Sequence, residues 1–480
     1  MGLRRWLRGR AVPDFGEWLP DLPAYGNPGL TTARNVYPSA IGYKPVKAIS
    51  QVTNALPVTW KGGGSFITTD GTTATVAGTN SGLYAYISSA WVLKYAGSYS
   101  ARWAFAQWGG LAIGVNGGSP VKYTITTATG AALGGTPPSA TMIAVVRDFV
   151  FLAGNSGAIS TVYWSGFNNA EQWTIGTNQC DAQPLPDGGA ITGLAGGEYG
   201  LVFQDAAVHR FTYVGTPVIF QRDKIVDGIG CVANGGLATF GRTTFFLSAR
   251  GFYSISDGGL DPIGDTKVNE TFWKLYRRAD VQTYVRCVID PKRSLVIWSM
   301  PDRLWVYNWV LKRWSDIAIV GLVGLSTGIN ASVSLEQIDT LYPGGIDTVP
   351  YSLDDPIFQG GDPLLTIVKN DNAVYSFGSS ANMSATLAFG VMEPFSNRNT
   401  RVRRARLGGD CVSGITVTVN YSQRLGDAFR AITATTTNTA GYIPIRVTDQ
   451  FLQPVVDFAA GASWSYATEL NFDWAPGGSY

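Results

Sequence analysis

One small unit recurs along most of this 480-residue chain: an apolar strand, a tight polar turn, then a strand carrying an aromatic residue. Residues 75–77 meet Asn80-Ser81-Gly82 and then Tyr84 and Tyr86. Residues 111–115 meet Asn116-Gly117-Gly118 and then Val121 and Tyr123. Residues 150–153 meet Asn155-Ser156-Gly157 before Val162, Tyr163 and Trp164. The unit returns around Asp205, Arg250-Gly251, Pro301-Asp302 and Asn370-Asp371-Asn372. Turns at 80, 116, 155, 205, 250, 302 and 371 are 36, 39, 50, 45, 52 and 69 residues apart. Asn-Gly and Ser-Gly pairs supply the positive φ of tight hairpins.

Most of these intervals match one four-stranded propeller blade. A small sheet of this kind cannot cover both of its faces, and stacking sheets radially does so while leaving only short edges. The expectation is an all-β fold: a β-propeller body of about six to eight blades over residues 31–383, with a C-terminal β-sandwich-like appendage over 384–480. Residues 1–30 read as an N-terminal basic arm. Two or three β-sandwiches in series predict the same hairpins without a steady period. Helical spacing is scarce, and Val268, Phe272, Leu275 and Tyr276 within 266–280 are its best case.

After about residue 384 the texture changes. Arg398, Arg401, Arg403, Arg404 and Arg406 are followed by Thr/Val alternation at 415–421 and a Thr-rich stretch at 431–439. Strict alternation suits a half-exposed sheet. A period of two sets 401 and 403 opposite 404 and 406, so the arginines should not share one strand face. They read either as solvated charge flanking an interface or as a phosphate-facing DNA-channel patch.

The chain is poor in the groups that do chemistry. His209 is the only histidine, inside an apolar-aromatic run that reads as strand, so a two-histidine metal site is impossible and any triad would need that one residue. Cys180, Cys231, Cys287 and Cys411 form no C-x-x-C pair and suit isolated thiols in a reducing cytoplasm. No P-loop string occurs. The glycine clusters at 62–64, 117–118 and 188–189 read as turns between strands. The carboxylates of 257–265 lack the EF-hand spacing. Asp70, Glu171, Asp187 and Asp257 are the carboxylates a propeller glycosidase would draw on, but the repeated Ser-x-Asp-x-Gly-x-x-Trp box of sialidase-like propellers is missing. The expectation is a protein without catalysis, metal or cofactor.

Charge points the same way. Lys+Arg 36 against Asp+Glu 34 gives +2, which excludes a protein held to nucleic acid by wholesale phosphate neutralisation. Charged residues make up 15% and aromatics 12%, the opposite of a disordered chain. The longest apolar run, 317–325, is far short of the ~20 residues of a membrane helix, and membrane insertion is not expected. Arg4, Arg5, Arg8 and Arg10 surround Trp6 with no apolar stretch behind them, so they read as a solvated tail or an arm that docks on a partner rather than a secretory signal.

The segment Ala33-Arg34-Asn35-Val36-Tyr37-Pro38 with Gly42-Tyr43 resembles the N-terminal "Asn, Tyr-Pro, Gly-Tyr" segment of short-tailed bacteriophage tail proteins. The succession of residues 183–193, 201–213, Gly228-Ile229-Gly230-Cys231, 245–255 and Pro262-Ile263-Gly264 is similar to the packaged-DNA stabilisation, or tail nozzle, family. Residues 303–314 resemble that family's last-blade hairpin. Lys44-Pro45-Val46 stands where the family has Pro-Gly, and the last hundred residues match only in general character. The resemblance implies a virion tail structural protein assembled in the host cytoplasm. It implies a homo-hexamer below the head-to-tail adaptor protein, extending and closing the channel through which DNA ejection occurs. Its partners would be the adaptor, tail needle, fibre or tailspike proteins, and transiently the passing double-stranded DNA. A receptor-binding or carbohydrate-cleaving tail component is the alternative, motivated by the many Trp and Tyr residues.

Overall fold

The apolar runs become strands with both faces covered. Phe149–Ala153, Gly200–Gln204 and Leu295–Met300 are buried at every position. Because side chains alternate across a strand, consecutive residues serve different cores. Phe151 packs with Val202 on one side of its sheet, while Leu152 packs with Ile113 on the other. Ala112 faces Val76, and Phe203 faces Phe246. Every sheet therefore needs a neighbour on each side, and a closed ring meets that need.

The computed structural model describes residues 14–329, 363–411, 413–435 and 441–478. Within them, six four-stranded sheets and the first four strands of a nine-stranded sheet form seven blades. Blades 1 to 6 span 60–96, 104–132, 142–184, 191–227, 237–262 and 286–318. Blade 7 joins Leu322–Ile329, Pro363–Lys369 and Val374–Ser376 to Ser50–Gln51 from the N-terminal side. The first strand of each blade packs on the next around the ring, and Leu322–Ile329 returns to Trp60–Ile67. The fold is a seven-bladed β-propeller whose last sheet is closed by an N-terminal strand. Val52 N–H donates to Val374 O (2.8 Å) and Leu56 N–H to Asn372 O (2.9 Å), which extends that closure. All seven turns read from the sequence join the second and third strands of a blade. The longest interval, 302 to 371, contains residues 330–362, which lie outside the described residues.

Several local expectations are corrected. Gly62–Gly64 is not a turn but part of the innermost strand of blade 1. A Cβ at Gly62 would meet Trp103 O at 2.2 Å and one at Gly63 would meet Val76 O at 2.6 Å, so close approach near the axis selects glycine. The helical stretch divides into α1 (Asn269–Leu275) and α2 (Arg278–Tyr284). Val268 and Phe272 are buried, whereas Leu275 is exposed. Tyr276 leaves the helix between them, and its hydroxyl donates to Asp302.

The chain is also cut differently from the expected 1–30, 31–383 and 384–480. Residues 14–45 belong with the C-terminal strands. One sheet orders Val36–Ser39, Gly42–Pro45, Ala467–Pro476, Thr400–Gly409 and Val447–Asp449. The facing strands, Leu30–Arg34, Ala385–Phe389, Phe451–Phe458, Ile415–Ser422 and Arg430–Ala434, continue the sheet of blade 6. The expected alternation appears in Ile415–Ser422, with Ile415, Val417 and Val419 buried. Phe15 and Trp18 are buried against Phe389 and Trp305, so this part of the expected arm is packed by its own apolar side chains. One core joins sandwich residues such as Leu387 and Val417 to Phe252, Trp298 and Trp314 of the propeller.

Candidate functional site

The strand Thr400–Gly409 carries four exposed arginines within six residues. A β-bulge between Val402 and Arg404 sets both Arg403 and Arg404 against Asp473 of the neighbouring strand. It shifts the alternation by one residue. Thr400, Val402 and Ala405 turn to the core, while Arg401, Arg403, Arg404 and Arg406 are all exposed. The expected split of these arginines over two faces is therefore overturned, because parity arguments assume an unbulged strand. Arg398 lies outside the strand, exposed in the turn closed by its own N–H to Phe395 O (3.1 Å).

Two neighbours that the sequence reading missed complete the strip. Thr448 pairs with Arg401, and Arg446 lies exposed two residues before it. The Arg404 guanidinium stands over the Tyr442 ring at 4.0 Å from its centroid, with that of Arg406 at 5.8 Å. Arg404 Nε also donates to Asp473 Oδ2 (3.0 Å). Among the described residues, Arg401, Arg403, Arg406 and Arg446 have no ion pair. Same-face side chains recur every ~7 Å on a regular strand, and the bulge adds one more, setting Arg403 and Arg404 side by side between Arg401 and Arg406 in a short row of cations. Planar guanidiniums on such a row suit bidentate contact with phosphate or carboxylate. No sequence signal marks the bulge, and Arg446 lies forty residues from the cluster it joins.

Arg4, Arg5, Trp6, Arg8 and Arg10 lie outside the described residues. The first segment of the resemblance, residues 33–43, sits where the propeller meets the sandwich. Asn35 adopts the left-handed region (φ 57°), its Oδ1 accepting from Ala318 N–H (2.7 Å) and its Nδ2 donating to Ser384 O (2.7 Å). Arg34 Nε lies 3.2 Å and Arg303 Nη1 3.4 Å from Asp316 Oδ2. Burial holds the Asp316 carboxyl above its ordinary range despite the two arginines. Tyr43 is fully buried and donates to Gly16 O (2.9 Å), while a Cβ at Gly42 would strike Ala467 O at 2.1 Å.

The remaining candidates are local and structural. His209 is buried and bonded through Nε2 to Gln204 Oε1 (2.9 Å). Burial, then Arg222 and Lys224, hold its pKa below the ordinary value. The four cysteines are free thiols, and burial pushes Cys180 up to about 11 and Cys231 up to about 12, far from nucleophilic range. Asp70 lies in a turn of blade 1 and receives the Thr72 N–H (3.0 Å). Glu171 pairs with Lys122 (2.7 Å) and Asp257 with Arg242 (3.2 Å), so these acids are spent in separate blades. No group of three His, Cys, Asp or Glu residues able to hold a metal occurs among the described residues. No described helix is long and apolar enough to cross a membrane.

No family model and no curated protein matches this sequence. Among solved structures, the N-terminal domain of Nup159 is similar with a TM-score of 0.42 at 9% identity, over 72% of this chain and 98% of that one. The extracellular domain of a hybrid two-component system from B. thetaiotaomicron has a TM-score of 0.44 at 9% identity, over 82% and 48%. The Pan2 WD40 domain of Neurospora crassa has a TM-score of 0.37 at 8% identity, over 70% and 90%. Likenesses this remote bear on nothing but general architecture, and the propeller assignment rests on the closed ring of first strands.

Proposed function

We propose that this protein is a structural subunit of a short-tailed bacteriophage tail, forming a nozzle ring of six copies below the head-to-tail adaptor. In this role it extends and closes the DNA channel and anchors needle, fibre or tailspike proteins; it catalyses nothing. The observation that carries the reading is the arginine strip, a fixed row of exposed cations in a molecule of nearly neutral charge. Such a row gives a passing polyanion a local guide, whereas cations spread over the whole surface would grip it. The resemblance at 33–43 and 183–264 supplies the class of assembly. Apolar side chains left exposed on an outer blade edge, such as Val92 and Leu93, suit the side-to-side contacts of a ring.

The test is copy number and position in a map of the virion. Six copies on the tail axis, directly below the adaptor, are expected. A trimeric, peripheral location overturns the ring and favours the receptor-binding alternative. Deleting residues 1–10 should weaken attachment to the adaptor while leaving the purified subunit folded, and normal virion assembly from that deletion would refute a docking arm.

A further inference from the structure

One rim of the boundary between blades 5 and 6 opens into a slot of about 220 Å³. Register places Phe240 beside Thr243 and aligns Phe245, Ser254 and Asp261 in one row, all on one face of blade 5. Blade 6 supplies the other wall from the end of its third strand and the following turn, with Tyr307, Trp309 and Lys312. The Trp309 ring lies 5.3 Å from Phe240 and 5.8 Å from Phe245, at 36° and 32°. Phe240 is nearly half exposed, so this aromatic cluster is open to solvent.

Polar groups in the slot are available. Tyr307 is only 3% exposed, and its hydroxyl makes no hydrogen bond among the described residues. The same holds for the hydroxyls of Thr243 and Ser254. The Tyr307 hydroxyl is not sealed in the core: it opens into the slot, where water or a ligand hydroxyl can pair with it. Asp261 and Lys312 face each other at 3.9 Å, so the only acid and base of the slot offset one another. That removes the electrostatic drive for an organic cation, although aromatic rings beside an acid would otherwise suit one. A purely apolar guest would leave the Tyr307 hydroxyl unpaired.

We propose that this slot binds one sugar residue of a neutral saccharide. A pyranose offers a C–H face to Trp309 and Phe240, while its hydroxyl edge meets Tyr307, Ser254 and the Asp261–Lys312 pair. Both kinds of group are needed together, the usual make-up of a specific small-ligand site. The volume admits one ring, so a longer glycan continues out over the rim. The proposal stands on the slot alone and is independent of the ring assembly.

The experiment titrates the full-length protein with maltopentaose, cellopentaose, laminaripentaose and chitotetraose, reading tryptophan fluorescence and isothermal heats. At least one is expected to saturate with a Kd near or below about 1 mM. Trp309→Ala should weaken it about tenfold or more and Tyr307→Phe severalfold, since the latter keeps the ring and loses only the hydroxyl. Phe240→Ala, at a half-exposed position, provides a variant whose folding is not at risk, and it too should weaken binding. Failure of all four sugars to saturate by about 10 mM overturns the proposal, as does binding that survives Trp309→Ala and Phe240→Ala. Quenching by tetramethylammonium instead of any sugar would identify a cation cage, and quenching by benzyl alcohol alone would identify a socket for a partner's apolar side chain; either outcome also overturns it.

Discussion

Asn35 is a small residue with a large share of the propeller–sandwich junction. Its side chain ties Ala318 to Ser384, and its backbone occupies the left-handed region that asparagine tolerates better than alanine. Asn35→Ala loses two hydrogen bonds and adds backbone strain, so it should cost about 3 kcal/mol in urea unfolding. Asp316→Ala leaves the part-buried Arg303 guanidinium still paired with Asp302 (2.8 Å), so it should cost less, about 1 kcal/mol. The sequence marked Asn35 only through a resemblance; nothing in it joined Asn35 to residues almost three hundred positions away. His209 was legible as structural because it sat in an apolar run. Its folded pKa is lowered, so the unfolded chain binds the proton more tightly. Stability is therefore full above the unfolded value near ~6.5 and declines as pH falls through the folded value. Being the only histidine, it makes the test clean: the urea midpoint should drop between pH 7.5 and 5, and His209→Gln should flatten that drop.

At the scale of elements, the seven turns were legible because hairpin chemistry is local. Asn116-Gly117-Gly118 and Asn155-Ser156-Gly157 specify their own geometry, and the Asn116 and Asn155 side chains accept the N–H two residues on. What escaped the sequence depends on distant strands. Gly62–Gly64 looks like a turn until Val76 from the next strand and Trp103 from the approach to blade 2 arrive to crowd it. The bulge at Arg403 likewise exists only relative to Asp473. Gly62→Val should therefore behave as a core lesion rather than a loop change. Its Cβ would collide with the backbone carbonyl of Trp103, for a loss of about 3 kcal/mol or more that calorimetry would register. A shift of only a few tenths would mean that the inner strands can separate at little cost.

The whole molecule is organised around one shared core and one charged strip, and these place opposite demands on it. Trp298, Trp305 and Trp314 of blade 6 lie in the same cluster as Phe389, Val417 and Trp474 of the sandwich. The two parts should accordingly unfold in a single calorimetric transition, and a chain ended at residue 383 should be insoluble. Rigidity of that kind fixes the arginine strip in space, which matters if its task is to meet a polyanion at a set position rather than to wrap it. Short double-stranded DNA should then bind weakly and without sequence preference. The logarithm of its affinity should fall linearly with the logarithm of salt concentration, by about 0.9 in slope for each phosphate engaged. Replacing Arg401, Arg403, Arg404 and Arg406 together by glutamine should reduce that slope by several units of this size while leaving the melting temperature close to that of the parent. Asp473 loses a partner in this variant but stays hydrated, since both members of its ion pair are nearly half exposed. Replacing Arg222, Lys274, Arg277 and Arg278, four exposed cations elsewhere on the surface, removes the same formal charge and should leave the slope near its original value. Equal losses from the two quadruple variants would reduce the strip to ordinary surface charge. A loss confined to the first would make the bulged strand the surface that DNA meets.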